Sequence, residues 1–379
     1  MSSDRHTLGL ALRPLDVLLF RGGHPMVAGW QVTSGLPLPQ TLAGALRTWL
    51  LRKAGCDFDR FGGNVRSGAT LQEAARDGQP VEVEQIMGLV FRGPWLAQED
   101  SGVWAPLVAA PANLLLSKED GDHGPLSRSD PLTTIELPGW RPMEDEMRPL
   151  WSRGAEPLER AQGFLTLSGL GAYLAGGVPD RTELIAPDEL FGVDRRTGIA
   201  VGSATRTAEE GRIYSVGYLA LRERVGFYAE IDDVTGVVTR LTQTASSGEI
   251  INFGGDGKRC AVEIGPSVMW PEVEPTQGQG QSLLLTTPAP VGRNITKGNT
   301  WVPGAIAGQV LSAAVPGYRA FSGWDLARRG PKPTRFAIEA GTVYFLAEPF
   351  AAFRFSSLCG AEDAALGWGH VVKGVWNHV

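Results

Sequence analysis

DVLLFRGGHPMVAGWQVTSGLPLPQTLAGALRTWL, residues 16–50, places a strand, a glycine turn and a helix in direct succession. Leu8, Leu10 and Leu12 alternate with polar or small residues, and residues 17–20 resume the apolar run after Pro14 has interrupted it, which predicts one strand with a break. The turn at residues 21–25 then ends the strand, because its two glycines permit a left-handed backbone and Pro25 cannot continue a central strand. This order predicts a flexible backbone loop beside the start of a helix.

The helix is predicted to begin near Pro39, because proline suits a first helical turn, and to end at Gly55. Its apolar face has the spacing i, i+4, i+7, i+8 and consists of Leu42, Leu46, Trp49 and Leu50. A second line along the same helix consists of Thr41, Gly44 and Arg47. The helix therefore has one face for a core and another for a different contact.

The composition of the chain excludes several classes of protein. The 379 residues are enough for two domains, and no apolar run approaches the ~20 residues of a membrane span, so we expect a cytoplasmic protein without a membrane partner. Three widely spaced cysteines indicate neither a disulfide framework nor a zinc site. The net charge of −6 argues against bulk affinity for nucleic acid, although 29 of the 35 basic residues are arginine, the better ligand for phosphate.

The pattern along the chain predicts an α+β protein of two units. Residues 81–91 are a candidate strand, and residues 93–160, rich in Pro, Gly, Trp and charge, predict a loop-rich insertion. Alternating apolar residues at 213–221 and 225–231 predict two strands joined as a hairpin. Strands outnumber helices, and helices occur towards both ends.

The glycine-rich segment 253–259 predicts a tight turn that presents Lys258 and Arg259. A phosphate-binding loop would need glycine in place of Asn252 and a hydroxyl in place of Arg259. A metal-binding cyclase turn would need a second carboxylate in place of Gly257. Neither enzymatic motif is therefore present, and no metal site or cofactor is expected.

Two further segments carry the residue types that contact phosphates. Residues 194–214 cluster arginines and hydroxyls, among them Arg195, Arg196, Thr205 and Arg206, and form either a phosphate contact or a solvated polar loop. Residues 367–374 contain Gly367, Gly369 and Lys373 in a pattern that is weak on its own. His24, in a glycine turn next to Arg21, is a candidate general acid or base in RNA cleavage.

Taken together, these segments resemble the RAMP superfamily of CRISPR systems, and most closely subunit three of the type III-B Cmr effector complexes. The matching segments lie in the expected order and are 16–25, 36–47, 196–214, 253–259, 330–332 with 340–344, and 367–374. The resemblance implies two ferredoxin-like (RRM-like) units, 1–195 with the insertion at about 93–160 and 196–379. It also implies that the chain itself is not catalytic.

The resemblance further implies that glycine loops and basic residues hold the 5′ tag of a crRNA. The implied RNA-binding residues are Arg21, Gly22, Gly23, His24, Thr41, Gly44, Arg47, Arg195, Arg196, Thr205, Arg206, Lys258, Arg259, Gly367, Gly369 and Lys373. Trp30 and Tyr214 are candidates to stack on bases of the tag. The implied protein partners are the large cyclase-type subunit and a backbone RAMP subunit, with target RNA contacted indirectly. A guide-processing RAMP endoribonuclease that uses His24 is the alternative.

Overall fold

A computed structural model of the protein describes residues 6–21, 31–118, 124–132, 147–152, 157–201, 206–243, 248–291, 301–350 and 356–377. Its helices are α1 (Pro39–Lys53), α2 (Phe58–Arg66), α3 (Leu71–Arg76), α4 (Val81–Met87), α5 (Leu167–Leu174), α6 (Pro187–Leu190), α7 (Val237–Thr242) and α8 (Ala361–Ala365). Its strands are β1 (Thr7–Pro14), β2 (Gln31–Thr33), β3 (Val90–Asp100), β4 (Val103–Ala109), β5 (Leu114–Ser117), β6 (Leu126–Arg128), β7 (Asp130–Pro131), β8 (Leu150–Trp151), β9 (Leu158–Arg160), β10 (Phe164–Leu165), β11 (Leu184–Ile185), β12 (Phe191–Val201), β13 (Ala208–Leu221), β14 (Val225–Asp232), β15 (Glu249–Asn252), β16 (Arg259–Pro266), β17 (Gln279–Leu285), β18 (Ala289–Pro290), β19 (Val310–Ala314), β20 (Tyr318–Phe321), β21 (Trp324–Asp325), β22 (Gly330–Pro331), β23 (Arg335–Ile338), β24 (Val343–Leu346) and β25 (Val371–Asn377).

The chain divides into two units that interleave along the sequence. The first unit contains residues 1–89, 190–267 and 320–334, and the second contains 90–189, 268–319 and 335–379. Both units therefore draw on both halves of the chain. This grouping differs from the contiguous halves 1–195 and 196–379, which stay a prediction about the two RAMP units.

The first unit is built on a sheet around β1. β1 pairs antiparallel with β14 on one side and with β16 on the other, and β15 continues the sheet beyond β16. Leu10 and Leu12 of β1 are completely buried, and Ala11 between them is buried too. The strand ends at Pro14, so its predicted continuation over residues 17–20 is wrong: within that stretch only Leu18 forms an isolated bridge, to Leu219.

Helix α1 follows the prediction from the sequence. It begins at Pro39, ends at Lys53 and buries Leu42, Leu46, Trp49 and Leu50, which confirms the predicted apolar face. The indole Nε1 of Trp49 donates a hydrogen bond of 2.6 Å to Oε2 of Glu249, and Lys53 forms an ion pair with the same carboxylate. These contacts tie the last turns of α1 to β15.

The predicted hairpin between residues 213–221 and 225–231 is wrong in its pairing. Both segments are strands, but β13 pairs antiparallel with β12, and β14 pairs with β1. β2 adds to the other edge of β13 in parallel. The alternating pattern identifies a strand but cannot choose its neighbour, because either neighbour buries the same face.

The strands of the second unit pair antiparallel in the described residues. β17 pairs with β24 and β25, and β19 pairs with the far edge of β24. β4 pairs with β3 and β10, and β5 pairs with β6 and β9. One core cluster of this unit includes the buried side chains of Val108, Leu165, Tyr173, Phe345 and Trp376.

Two expectations about residues 81–160 are corrected. The candidate strand at 81–91 is helix α4 followed by the first residues of β3, because Val83 and Ile86, three residues apart, are both buried. The loop-rich insertion at 93–160 contains strands β3 to β9 among its described residues. Trp95 and Leu107 are buried within this segment. Its glycines and prolines therefore lie within and between strands and do not form one long loop. The α+β class with mainly antiparallel sheets is confirmed.

Candidate nucleic-acid interface

The arginine segment at 194–201 lies on a strand rather than in a loop. β12 and β13 run antiparallel, with Arg195 opposite Gly217 and Arg196 opposite Val216. Successive side chains of a strand point to opposite faces, so the two neighbouring arginines project from different sides of the β12–β13 pair. The two arginines therefore have different surroundings.

Arg196 belongs to a cluster of charged and aromatic side chains, which we call the Arg196 cluster: Asp16, Asp194, Arg196, Tyr218, Asp256 and Lys258. Arg196 donates hydrogen bonds of 2.8 and 3.0 Å to Oδ2 of Asp194, and its guanidinium lies 3.7 Å from Asp16. Lys258 Nζ donates to Asp16 Oδ2 at 2.9 Å. Both cations also lie over the ring of Tyr218, at 5.2 Å for Arg196 and 4.9 Å for Lys258.

The electrostatics of the Arg196 cluster are balanced within the chain. The hydrogen bond from Lys258, with that from the backbone N–H of Val17, lowers the pKa of Asp16. Burial and a hydrogen bond of 3.0 Å to Asp256 raise the pKa of Tyr218. Three carboxylates thus accompany two cations, so the cluster holds residues 16–19 against the β12–β13 pair and leaves little net charge for a phosphate.

The turn at 253–259 is confirmed as a tight turn, with Phe253 N–H donating to Lys258 C=O at 2.8 Å. Gly255 N–H donates to the carbonyl of Leu19 at 2.8 Å, and Gly254 has φ +97°. A Cβ on Gly254 would lie 2.8 Å from the same carbonyl oxygen, so only glycine fits there. Phe20 packs on Phe253 with ring centroids 5.0 Å apart. The turn therefore fixes the backbone of residues 19 and 20, which precede the predicted turn at 21–25.

Four exposed arginines among those predicted to bind RNA lie outside the Arg196 cluster: Arg21, Arg195, Arg206 and Arg259. In the described part of the chain none of these four forms an ion pair. Arg206 has a left-handed backbone with φ +54°. Gly22, Gly23, His24, Trp30 and Thr205 lie outside the described residues. The positive charge available at this surface thus comes from arginines that the Arg196 cluster does not neutralise.

The second predicted line of residues on α1, Thr41, Gly44 and Arg47, includes a glycine that no contact within the helix requires. Gly44 is exposed, and a Cβ there would meet no atom within 4 Å. Burial lowers the pKa of Arg47, three residues on, to about 10. Thr41 is half-buried on the first turn. A glycine inside a helix costs about 1 kcal/mol relative to alanine, and packing within the described residues does not require glycine at this position.

Nearly the whole chain matches the model of a known protein family. The model of the CRISPR-associated Cas_Cmr3 family matches residues 10–376, which include every element of the surface described above. The chain belongs to the Cas_Cmr3 family. The resemblance to subunit three of type III-B Cmr complexes is therefore confirmed.

Two known proteins illustrate the similarity to other Cmr proteins. CRISPR system CMR subunit Cmr3 of Saccharolobus solfataricus is 32% identical over 69 residues, a stretch that spans 18% of this chain and 20% of that relative. A cryo-EM structure of the type III-B Cmr-beta complex bound to cognate target RNA contains a chain that matches with a TM-score of 0.51. That match has 16% identity and covers 89% of this chain and 86% of the other, so it shows a shared fold.

The Cas_Cmr3 match includes the glycine segment 367–374, which lies in the second unit and has structural contacts there. Gly367 has φ +93°, and a Cβ on it would lie 2.9 Å from the carbonyl oxygen of Gly93. Gly369 N–H donates to the carbonyl of Pro288 at 2.8 Å. Lys373 Nζ donates to Glu274 at 2.7 Å on β25. Gly369 also has a left-handed backbone, with φ +67°, and a Cβ on it would clash with Sγ of Cys359. Backbone conformation and packing thus account for both glycines, and Lys373 carries a paired charge.

The described part of this Cas_Cmr3 chain offers neither a metal site nor a membrane-spanning helix. Among the described residues, no group of three His, Cys, Asp or Glu side chains could hold a metal ion. None of the described helices is long and apolar enough to cross a membrane. The sequence patterns gave no role to the carboxylates Asp16, Asp194 and Asp256. In the structure Asp16 pairs with the distant Lys258, Asp194 pairs with the nearby Arg196, and Asp256 accepts a hydrogen bond from Tyr218.

Proposed function

We propose that this chain is a non-catalytic, RNA-binding subunit of a type III-B effector complex that holds the 5′ tag of the crRNA. In this proposal it contains two ferredoxin-like units and bridges the large cyclase-type subunit to the backbone RAMP subunit in the cytoplasm, with target RNA contacted indirectly. The observation that carries the proposal is the set of exposed arginines around the β12–β13 pair, beside a cluster whose own charges are neutralised. The target RNA bound by the similar Cmr-beta complex supports it.

Phosphate contact suits the task of holding a guide. The bases of a guide must stay free to pair with a target, so a protein holds it best through phosphates and 2′-hydroxyl groups. Guanidinium groups that are not engaged by carboxylates are suited to this role, because they form two parallel hydrogen bonds to a phosphate. Arg195 and Arg206 meet that description, whereas Arg196 and Lys258 position the strand beside them.

The first prediction tests this division of roles. We expect the double variant Arg195→Ala, Arg206→Ala to weaken binding of a tag-bearing RNA and to reduce the slope of log K against log salt by about 1.4, or about 0.7 for each lost phosphate contact. Fluorescence anisotropy of the full chain with labelled RNA, over a salt series, measures both quantities.

The matched control removes two other arginines. Arg60→Ala with Arg76→Ala changes the net charge equally, but these side chains are paired with Asp77 and Glu84 on or near α2 and α3. We expect the slope to stay within experimental error in this control. An equal loss in both double variants would show that only net charge matters and would contradict the assigned site.

The second prediction separates a scaffold from a guide-processing nuclease. We expect the full chain, incubated with repeat RNA without added metal, to produce no site-specific cut, because the proposal gives His24 no chemical step. Denaturing gel analysis of labelled RNA measures the outcome. Specific cleavage that His24→Ala abolishes would assign the chain to the endoribonuclease alternative.

A further inference from the structure

A second basic surface lies in the first unit, outside the residues assigned to the tag. We call residues 323–332 the basic hairpin. β21 pairs with β22 in the register Trp324 to Pro331 and Asp325 to Gly330. The basic hairpin contains three cations, Arg328, Arg329 and Lys332, against one carboxylate. It is therefore locally positive in a chain whose net charge is −6.

Hydrogen bonds hold the base of the basic hairpin, residues 322, 323 and 332, in place. We call this base the root. Gln40 Nε2, on the first turn of α1, donates to the carbonyl of Ser322 at 2.7 Å. Ser322 Oγ in turn donates to the carbonyl of Lys332 at 2.8 Å, and Lys332 N–H donates to Gly323 C=O at 2.8 Å. The root is thereby joined to α1 and closed across its two strands.

The tip of the basic hairpin is ordered as well. Arg66 of α2 donates to the carbonyl of Ala327 at 3.0 Å. Arg328 donates to Asp325 from its backbone N–H at 3.0 Å and from its guanidinium at 2.9 Å. A binding element fixed in this way loses little conformational entropy when it meets a ligand.

This ordered hairpin presents apolar side chains to solvent. Trp324 is 60% exposed and Leu326 is 74% exposed, and Arg328 and Arg329 beside them are exposed too. Single exposed apolar residues are common on proteins, but an exposed tryptophan next to arginines is the composition of a binding surface. In the described residues Arg329 has no ion pair, so its charge is available.

We propose that the basic hairpin binds single-stranded RNA, with a base stacked on Trp324 and a backbone phosphate at Arg329. The positive charge attracts a polyanion, and the exposed indole can stack only on bases that are not already stacked on one another. A duplex would leave Trp324 unused, because its bases are already stacked on one another. Base stacking on an aromatic side chain is tolerant of sequence, so this surface holds a strand rather than reading it. This inference goes beyond the proposed function, because none of its residues belongs to the assigned tag site.

The test uses the purified full chain and a fluorescein-labelled oligouridylate of about 15 nucleotides, near the upper length that one single-strand-binding domain covers. We expect Trp324→Leu to weaken binding about tenfold and Trp324→Phe to retain affinity within about threefold, because stacking needs a ring. Arg329→Gln should lower the salt slope by about 0.7. The control is Trp151→Leu, a tryptophan that is 48% exposed on β8, which should not change binding. Thermal unfolding should be unchanged in each variant, since these side chains are exposed.

Several outcomes would overturn the inference. They are absence of oligouridylate binding by the unaltered chain, equal affinity of Trp324→Leu and the unaltered chain, and equal losses in Trp324→Leu and Trp324→Phe. If Trp324→Leu leaves RNA binding intact but abolishes association with other subunits of the effector complex, the hairpin is a protein-docking surface and the inference is wrong. Each of these results leaves the measurement with Arg195 and Arg206 unaffected, so the two proposals fail separately.

Discussion

Replacing Arg128 by methionine is expected to lower the free energy of unfolding by about 3–5 kcal/mol, the range for breaking a buried ion pair. The Arg128 side chain is only 3% exposed, and its Nε donates to Asp130 at 2.8 Å. Its terminal nitrogens donate to the carbonyls of Tyr173 at 2.9 Å and Val375 at 3.1 Å. The guanidinium also lies 4.6 Å from the Tyr173 ring centroid. Methionine keeps most of the volume but leaves the carboxylate and two carbonyls without this donor.

The pH dependence of the free energy of unfolding tests whether the unpaired Asp130 carboxylate causes the loss of stability in Arg128→Met. Desolvation raises the pKa of Asp130 even with the Arg128 guanidinium beside it, and removal of the guanidinium should raise it further. A carboxyl group with a raised folded-state pKa favours the folded state when it is protonated. The deficit of Arg128→Met should therefore shrink as the pH falls from about 8 to about 5.

Chemical denaturation followed by circular dichroism measures these differences. The control Arg60→Ala removes an exposed ion pair with Asp77 and should cost less than about 1 kcal/mol. The double variant Arg128→Met, Asp130→Leu should recover part of the loss, because no buried charge is left unpaired. A deficit below about 1 kcal/mol for Arg128→Met would contradict the buried network as a source of stability.

Replacing Gly254 by alanine is expected to cost about 3 kcal/mol of folding free energy, from the sum of backbone strain and overpacking. The φ of +97° disfavours any Cβ, and the Cβ would lie 2.8 Å from the carbonyl oxygen of Leu19. Relief of that contact must move the backbone that carries Phe20 and Arg21. We therefore also expect weaker binding of the tag-bearing RNA.

Gly257 provides a matched control in the same turn. It also has a left-handed backbone, with φ +63°, but a Cβ there would meet nothing within 4 Å. Gly257→Ala should therefore cost only about 1 kcal/mol, the conformational penalty alone, and leave RNA binding unchanged. Thermal unfolding and anisotropy of both variants measure the two effects. Equal losses of stability would mean that the close approach to Leu19 contributes nothing.

Local structure was predicted well where neighbouring residues decide it. Pro39 and the leucine spacing placed α1, and the glycines at 254, 255 and 257 placed the turn, because helix faces and turn dihedrals depend on nearby residues. Residues 81–91 show the limit of this approach. The alternation of valine and glutamate fits a strand, but burial of Val83 and Ile86 on one side selects a helix.

By itself, the sequence determined the first strand as far as Pro14, the helix at Pro39, the tight turn at 253–259 and the family, since each depends on residue type and order along the chain. Tertiary structure alone decided which cations are available to RNA. Asp16 lies 242 residues from Lys258, and only folding brings their charges within 2.9 Å. The two neighbouring arginines of β12 differ in ion pairing for the same reason. Arg196 pairs with carboxylates, whereas Arg195 is exposed to solvent. Coulomb interactions fall with distance in space rather than with separation in sequence, so pairing of charges could be read only from the folded chain.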